Sequence, residues 1–314
     1  MAMTRASYGE LLRPGLRKVI YMAYKNQPSR YSDFLNVLSS KKAYEEWTAW
    51  AGVGPAVEKL EGKAITYKDP TGLPVKRITH VTYGLGMRQT MEAKSDEQYG
   101  IAAKIAQSIG KAHKVRREIE AANMFNGAFG TWNNTGFDGK ALCATDHPLY
   151  QGQSYSAATT DITSEPQRSG STCSNKLATA SDLDYTSLQD MITLARRTVD
   201  EDGDFLTIEP RKLLIPPELD WVAREITRSP DRPDTANRAK NVLPSIQVDT
   251  WHFLLDTDAW FLLGDQHDLN FFNRMDLQTD MEDDFDTGDT LYRGIQRFST
   301  GFGDWRGIYG TPGA

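Results

Sequence analysis

Five histidines, His80, His113, His147, His252 and His267, are the side chains best suited to proton transfer or metal binding near neutral pH. None recurs at the His-x-x-x-His spacing that sets two imidazoles on one helix face, so the spacing predicts no zinc site. His147 lies between Asp146 and Pro148, with Cys143 four residues upstream. A Cys–His pair is a route to a thiolate nucleophile, but so tight a spacing suits a structured turn better. Gly84-Leu85-Gly86 lacks the remainder of a dinucleotide fingerprint. Gly136-Phe137-Asp138-Gly139-Lys140 lacks the spacing and the Ser or Thr of a phosphate loop. No Gly-x-Ser-x-Gly elbow is present.

The run Asp276, Asp280, Glu282, Asp283, Asp284, Asp286 and Asp289 contains no intervening basic residue and could attract a cation. A calcium loop needs glutamate six residues after its glycine, and six residues after Gly288 stands Gly294. A solvated or interface-facing acidic strand, with Asp280, Glu282, Asp283, Asp284 and Asp286 as an interface candidate, is the favoured reading. The expectation is a protein with no catalytic residues, no metal site and no cofactor.

The elements that position these residues are legible in outline. Residues 5–25 read as helical, with Pro14-Gly15 breaking or kinking the segment, and Ser40–Trp50 reads as a second helix. From Ala64 to Met91 the texture is strand-like. Thr66-Tyr67 and Ile78–Tyr83 flank Asp69-Pro70-Thr71-Gly72, strong turn chemistry, so a long hairpin with a polar tip is expected. Ser95 and Gln98 form a capping-box pattern ahead of Ile101, Ile105, Ile109, Ala112, Val115, Ile119, Ala122 and Phe125, which recur at gaps of three and four. That spacing predicts an amphipathic helix from Ser95 to about Phe129, about 50 Å long at ~1.5 Å per residue. Gly110 inside it marks a bend or a close contact.

Residues 151–175 are rich in Ser, Thr, Gly and Gln and read as an exposed loop. Ser181 is expected to cap a helix whose face carries Leu188, Met191, Ile192, Ala195 and Val199. Further on, Lys212–Ile215, Ile246–Val248, Phe253–Leu255, Phe261–Leu263 and Leu291–Phe298 read as strands, and Leu219, Val222, Ala223 and Ile226 as a helix face.

Charge and composition narrow the function. The chain has 314 residues, 39% of them hydrophobic, enough for one large domain or two modest ones. A net charge of −6 argues against a protein whose main task is gripping nucleic acid. No apolar run reaches membrane-spanning length, no secretory signal is visible, and two cysteines fit a reducing compartment. The charge is uneven, with Arg5, Arg13, Arg17, Lys18, Lys25 and Arg30 against Glu10 in the first thirty residues.

The order of elements carries more information than any motif. A basic helical arm, a polar-tipped hairpin, a very long helix, a Gly/Asn turn patch, a compact α/β region and closing strands follow one another. Specific words accompany them: Asn123-Met124-Phe125-Asn126-Gly127-Ala128-Phe129, Asp138-Gly139-Lys140-Ala141-Leu142-Cys143, Asp146-His147-Pro148-Leu149, Leu213-Leu214-Ile215-Pro216-Pro217-Glu218-Leu219, Asp258-Ala259-Trp260-Phe261-Leu262, and Arg297-Phe298-Ser299-Thr300-Gly301-Phe302-Gly303-Asp304-Trp305-Arg306-Gly307. Together they resemble the tailed-bacteriophage major capsid proteins, in particular the Mu-type major head subunit group with its Hong-Kong-type shell fold.

The resemblance covers most of the chain and implies an α+β fold. Its parts would be an N-terminal arm (1–60), an E-loop hairpin (61–94), a peripheral domain on a spine helix (95–179) with 151–175 inserted, an axial domain (180–250), and returning axial and peripheral strands (251–314). It implies a non-enzymatic subunit that assembles in the host cytoplasm into the hexamers and pentamers of an icosahedral virion shell. That shell encloses double-stranded DNA without sequence-specific binding, and no membrane is involved. Partners would be a scaffolding protein, expected as a separate chain because no long acidic or coiled-coil segment precedes the arm, together with a portal and decoration proteins. Lys68, Asp69, Lys76 and Arg77 on the E-loop are expected to make inter-subunit contacts. Arg5, Arg13, Arg17 and Lys18 on the arm are expected to meet a neighbouring subunit or the scaffold. The alternatives are an encapsulin-like nanocompartment shell of the same fold and, more remotely, an α/β enzyme.

Overall fold

The computed structural model describes residues 17–48, 50, 56, 58–65, 67, 69, 72–96, 100–130, 135–148, 168–169, 172–200, 205–232, 240–243, 246–284 and 286–314. In chain order the elements begin with helix α1 (17–26), α2 (Tyr31–Phe34), β1 (Asn36–Ser39), β2 (Tyr44–Trp47), β3 (Lys76–Thr79), β4 (Val81–Gln89), α3 (Met91–Ser95) and α4 (Ile101–Asn126). There follow β5 (His147–Pro148), β6 (Arg168–Ser169), β7 (Thr172–Cys173), α5 (Tyr185–Arg196), β8 (Pro210–Ile215), α6 (Asp220–Arg228) and β9 (Gln247–Thr250). The chain closes with β10 (Trp260–Gly264), β11 (Leu269–Asp283), β12 (Thr290–Phe302) and β13 (Ile308–Thr311). The mixture is the expected α+β class. Two compact units result, one from the chain up to Glu45 with Ile78–Ala121 and Asn270–Thr300, the other from Glu46–Arg77, Ala122–Leu269 and Gly301–Ala314.

The first unit is a four-stranded sheet in the order β1-β11-β12-β4, with β1 parallel to β11 and β4 antiparallel to β12. Helix α4 supplies its second layer. The expected stripe holds at Ile109, Ala122 and Phe125, which are buried, and is displaced by one position at 105 and 112. Ala102, Ala106, Ile109, Gly110, His113, Arg117, Glu118 and Ala121 are buried, whereas Ile105 is 42% exposed and Ala112 faces solvent. Small residues win the inner face because they admit close backbone approach, and Arg117 and Glu118 because each finds a partner there. Gln296 donates to the His113 carbonyl at 2.8 Å, and Glu118 accepts the backbone N–H groups of Arg30 and Tyr31 at 2.7 and 3.2 Å, holding the start of α2. Gly110 is a close contact. A Cβ there would collide with the Ile20 carbonyl and lie 3.0 Å from the Tyr24 nitrogen, so α1 crosses α4 at the one position without a side chain.

The second unit is built on the sheet β13-β10-β8-β9, antiparallel except between β8 and β9. Its core joins Leu188, Met191 and Ala195 of α5 to Leu213 and Ile215 of β8, Trp260 and Leu262 of β10, and Tyr309. Asp184 caps α5, trading hydrogen bonds with Ser187; Ser181 instead lends its carbonyl to the Trp260 indole at 3.2 Å. In this unit the last turn of α4 sets Phe125 edge-on to Trp251 and Phe261.

Several local expectations are corrected. Residues 44–47 form strand β2, because Tyr44-Glu45-Glu46-Trp47 finds a pairing partner in β3, which overrides helical spacing. Strands β3 and β4 lie in different sheets, so the hairpin expected between 64–67 and 78–83 is replaced by a β2–β3 base. Ser95 ends the short helix α3, which Thr90 caps, and α4 starts only at Ile101, spanning about 39 Å. Phe253–Leu255 is a turn. Residues 5–16 and most of 151–175 lie outside the described residues.

Two predictions follow from this packing. Gly110→Ala gains about 1 kcal/mol of helix propensity but overpacks the crossing by about 1–3 kcal/mol. Amide exchange at 17–26 should therefore quicken while α5 is unaffected; unchanged protection of 17–26 would refute the crossing. The second concerns pH. Burial lowers the pKa of His80, His113 and His267, helped at His113 by Arg117, at His80 by Arg297 and Arg274, and at His267 by Lys212. A group whose folded pKa is depressed takes up its proton in the unfolded chain first. Stability should then be full above the ordinary histidine value of 6.5 and decline as pH falls below it. Melting temperatures at pH of about 7.5 and 5.5 test the sign, and His113→Asn should flatten the slope.

Candidate functional site

Strands β2 and β3 form the base of an excursion running from residue 48 to 75. Trp47 anchors that base. Its ring stacks on Phe137 at 4.8 Å and lies against Gly303, where any Cβ would overlap it. Leu73 is buried in the same cluster. Beyond this anchor the excursion turns its apolar side chains outward. Tyr67 is 88% and Trp50 71% exposed, and Leu60, Ile65 and Val75 are exposed as well. Trp50 bridges Gly72 across the excursion.

Of the residues expected to make contacts there, Lys68 lies outside the described residues and Asp69 is exposed. Lys76 donates to the Thr135 hydroxyl at 3.3 Å, and partial burial lowers its pKa. Arg77 reaches one carboxylate oxygen of Glu46 through two nitrogens, at 2.7 and 3.0 Å.

The basic arm and the acidic run meet in part within the chain. Arg5 and Arg13 lie outside the described residues. Arg17 donates to Thr279 at 3.2 Å, and Lys18 beside it is exposed. Both line an open cavity of about 640 Å³ with Ile20, Tyr21, Leu277 and Met281. Asp280 accepts from Arg293 at 2.8 Å, and that bond lowers its pKa, with a smaller contribution from the Arg17 charge. Asp283 accepts from the Thr290 hydroxyl at 2.8 Å, and Asp284 from the Asp286 N–H at 3.2 Å. Asp289, buried, holds Arg88 at 2.5 Å. Much of the run is thus the chemistry of a β11–β12 turn, while Glu282 and Asp286 remain exposed. Among the described residues no three His, Cys, Asp or Glu side chains are placed to hold a metal, and no helix is long and apolar enough to cross a membrane.

The chain's most concentrated polar arrangement is buried and was not visible as a unit in the sequence. His147 is fully enclosed in the second unit. One ring nitrogen meets the Asp138 carboxylate at 2.5 Å, the other the Asn175 side-chain oxygen at 3.1 Å, and the ring stacks on Trp305 at 4.3 Å. Asn175 is oriented by donating to the carbonyls of Leu142 and Ile308 at 2.7 and 2.8 Å. Its oxygen therefore faces the His147 ring as an acceptor. Lys140 pairs with Asp146 over the same turn. Cys143 is buried in this region, and burial raises its thiol pKa far from a nucleophile's range. The Asp138 word, the His147 word and the Trp305 word thus converge on a structural knot.

Residues 74–311 match the model of the family described as phage capsid protein. Solved structures share the fold. A capsid chain of the cyanophage P-SCSP1u superposes with a TM-score of 0.57 at 12% identity, over 90% of this chain and 88% of that one. A procapsid chain of bacteriophage JBD30 gives 0.50 at 16% identity, over 98% and 76%. A virus-like particle from Pyrococcus furiosus gives 0.50 at 9% identity, over 95% and 98%. No curated protein matches the sequence.

The knot generates its own prediction. Asp138→Ala strands a buried imidazole and should cost about 3 kcal/mol in urea unfolding, the low end for breaking a buried pair. Asp138→Asn keeps a hydrogen-bonding group and should cost less. A loss under about 1 kcal/mol for the alanine variant, the range of a typical single hydrogen bond, would show that the pair does not hold the turn.

Proposed function

The chain belongs to the phage capsid protein family, and from that premise we propose that it is the major head subunit of a tailed phage, of the Mu-type group. It has the Hong-Kong-type shell fold and is a shell-forming protein of the virion. Its role in this proposal is structural, with no reaction to catalyse. The unit containing α4 corresponds to the peripheral domain, the unit containing β13-β10-β8-β9 to the axial domain, and the excursion 48–75 to the extended loop.

The observation that carries the proposal is this excursion. A soluble monomer gains nothing from presenting Trp50, Leu60, Ile65, Tyr67 and Val75 to water, whereas a subunit that lays them on a neighbour removes their apolar area at about 25 cal/mol per Å². Lys68 and Asp69 fall on the same excursion and would sit at that contact. Lys76 and Arg77 lie at its base, where their bonds to Thr135 and Glu46 fix its departure angle. The arm residues Arg5, Arg13 and Lys18 would meet the scaffolding protein or a neighbour, with Arg17 tethering the arm to Thr279 of its own chain. Hexamers and pentamers, a separate scaffold and a portal complete the assembly. The net charge of −6 suits a wall that encloses double-stranded DNA without holding it.

Because a virus-like particle shares the fold, particle contents separate the phage reading from a nanocompartment: DNA supports the first, a protein cargo the second. Sedimentation and electron microscopy of the purified chain, alone and with its scaffold, should show closed shells in the megadalton range. Trp50→Ser with Tyr67→Ser should leave subunit stability within about 0.5 kcal/mol, as for surface positions, yet abolish shells. A chain that stays a small oligomer with scaffold present contradicts the proposal.

A further inference from the structure

In the first unit, Arg274 of β11 and Arg297 of β12 line one open cavity of about 520 Å³ with Met275, Asp276, Leu277 and Gln278. Both are half-buried, and the Nε of each is shielded from solvent with no hydrogen-bond partner among the described residues. Other arginines of this unit are engaged: Arg88 with Asp289, Arg293 with Asp280, Arg117 with Gln296 and Asn273. The acid on the cavity wall is already committed. Asp276 takes the Asn273 amide at 2.6 Å and Arg117 at 3.4 Å. Behind the pair sits His80, its ring bonded to Ser299 at 2.9 Å and Ser40 at 3.1 Å, so it offers no anion. Burial and the charges of Arg297 and Arg274 lower the His80 pKa, with Glu45 opposing. Two guanidinium groups thus share a cavity whose one lining acid, Asp276, bonds Asn273 and Arg117 and neither of them, a cost that the subunit alone does not fully offset.

We infer that Arg274 and Arg297 form a carboxylate-binding site filled by an acidic side chain from a second copy of this chain. Two planar guanidinium groups fit a carboxylate by paired, parallel N–H···O bonds. The chain has acids to supply. It carries 42 acidic residues against 36 basic ones, and Glu58, Glu61, Glu282 and Asp286 are exposed. In a shell of one repeated subunit, contacts are heterologous, so a basic patch on one copy meets a different, acidic surface on the next. The inference rests on the shell reading above.

The test is Arg274→Gln with Arg297→Gln. The unassembled subunit should melt at or above the wild-type temperature, because a repulsion is removed and no bond is lost. Particle yield should fall about tenfold or more, and particles that do form should melt lower. Arg274→Lys with Arg297→Lys should restore yield in part. A subunit destabilised as much as its particles would make the pair internal scaffolding and overturn the inference. Variant particles with wild-type yield and melting would also overturn it, and a change confined to their DNA content would reassign the pair to the genome's phosphates. If the wild-type chain formed no particles, the shell reading itself would fail, a result distinct from an indifferent variant.

Discussion

A guanidinium on the inner face of a helix must be satisfied on every side, and the first unit is arranged around that requirement at Arg117. Its side chain is 4% exposed. It donates to Gln296 on β12 at 3.0 Å and to Asn273 on β11 at 3.1 Å, and it lies over the rings of Tyr24, Phe271 and Phe298. One residue of α4 therefore fixes the helix against two strands and gives α1 an aromatic foothold. Burial pushes the Tyr24 hydroxyl up to about 12 against the opposing pull of the Arg117 charge, so that ring stays neutral beneath the cation. Glu118, next in sequence, holds the start of α2 by two backbone N–H groups. Adjacent charges of opposite sign on a buried stripe specify the helix's rotation more sharply than leucines would, because a slip strands a charge.

The second unit solves a similar problem at a buried histidine, His147. Asp138 and His147, nine residues apart, are joined by Asn175 and by the distant Trp305, and together they close a turn-rich region that has little regular structure of its own. The fixed turn seats Phe137 under Trp47, and Trp47 sets the base of the excursion 48–75. A buried hydrogen-bonded pair thus bears on a surface feature through ring contacts. Burying polar groups this completely is tolerable because Asp138, His147 and Asn175 bond one another and the backbone.

Much of this was legible in sequence and some was not, for identifiable reasons. The β8 and β10 strands and α5 follow from local pattern, and the structure carries them, whereas Asp184 caps α5 where Ser181 was expected and Ser95 ends α3 where it was expected to start α4. The α4 stripe was right at Ile109, Ala122 and Phe125 but misplaced at Ile105 and Ala112 because apolar spacing was counted, while much of the inner face is made of Ala102, Ala106, Gly110 and Ala121 with His113 and Arg117 between them. Close approach and long-range polar partners leave no periodic hydrophobic signal. β2 was hidden for a related reason: its strand character comes from pairing with β3, some thirty residues on. The words around Asp138, His147 and Trp305 were recognisable one by one, but their convergence depends on Asn175, at the edge of a stretch that reads as featureless loop. The Arg274–Arg297 pair leaves no local trace either, because what matters is the partner each lacks.

The central claim is that this subunit is complete in its cores and incomplete at the excursion. Hydrogen–deuterium exchange of peptides spanning 56–75, compared between free subunit and assembled shell, tests it directly. The account predicts that exchange there slows by about tenfold or more on assembly, while α5 and β10 exchange alike in both states. Equal exchange of 56–75 in subunit and shell would mean that the exposed aromatic residues face water in the particle too, and the account would be wrong.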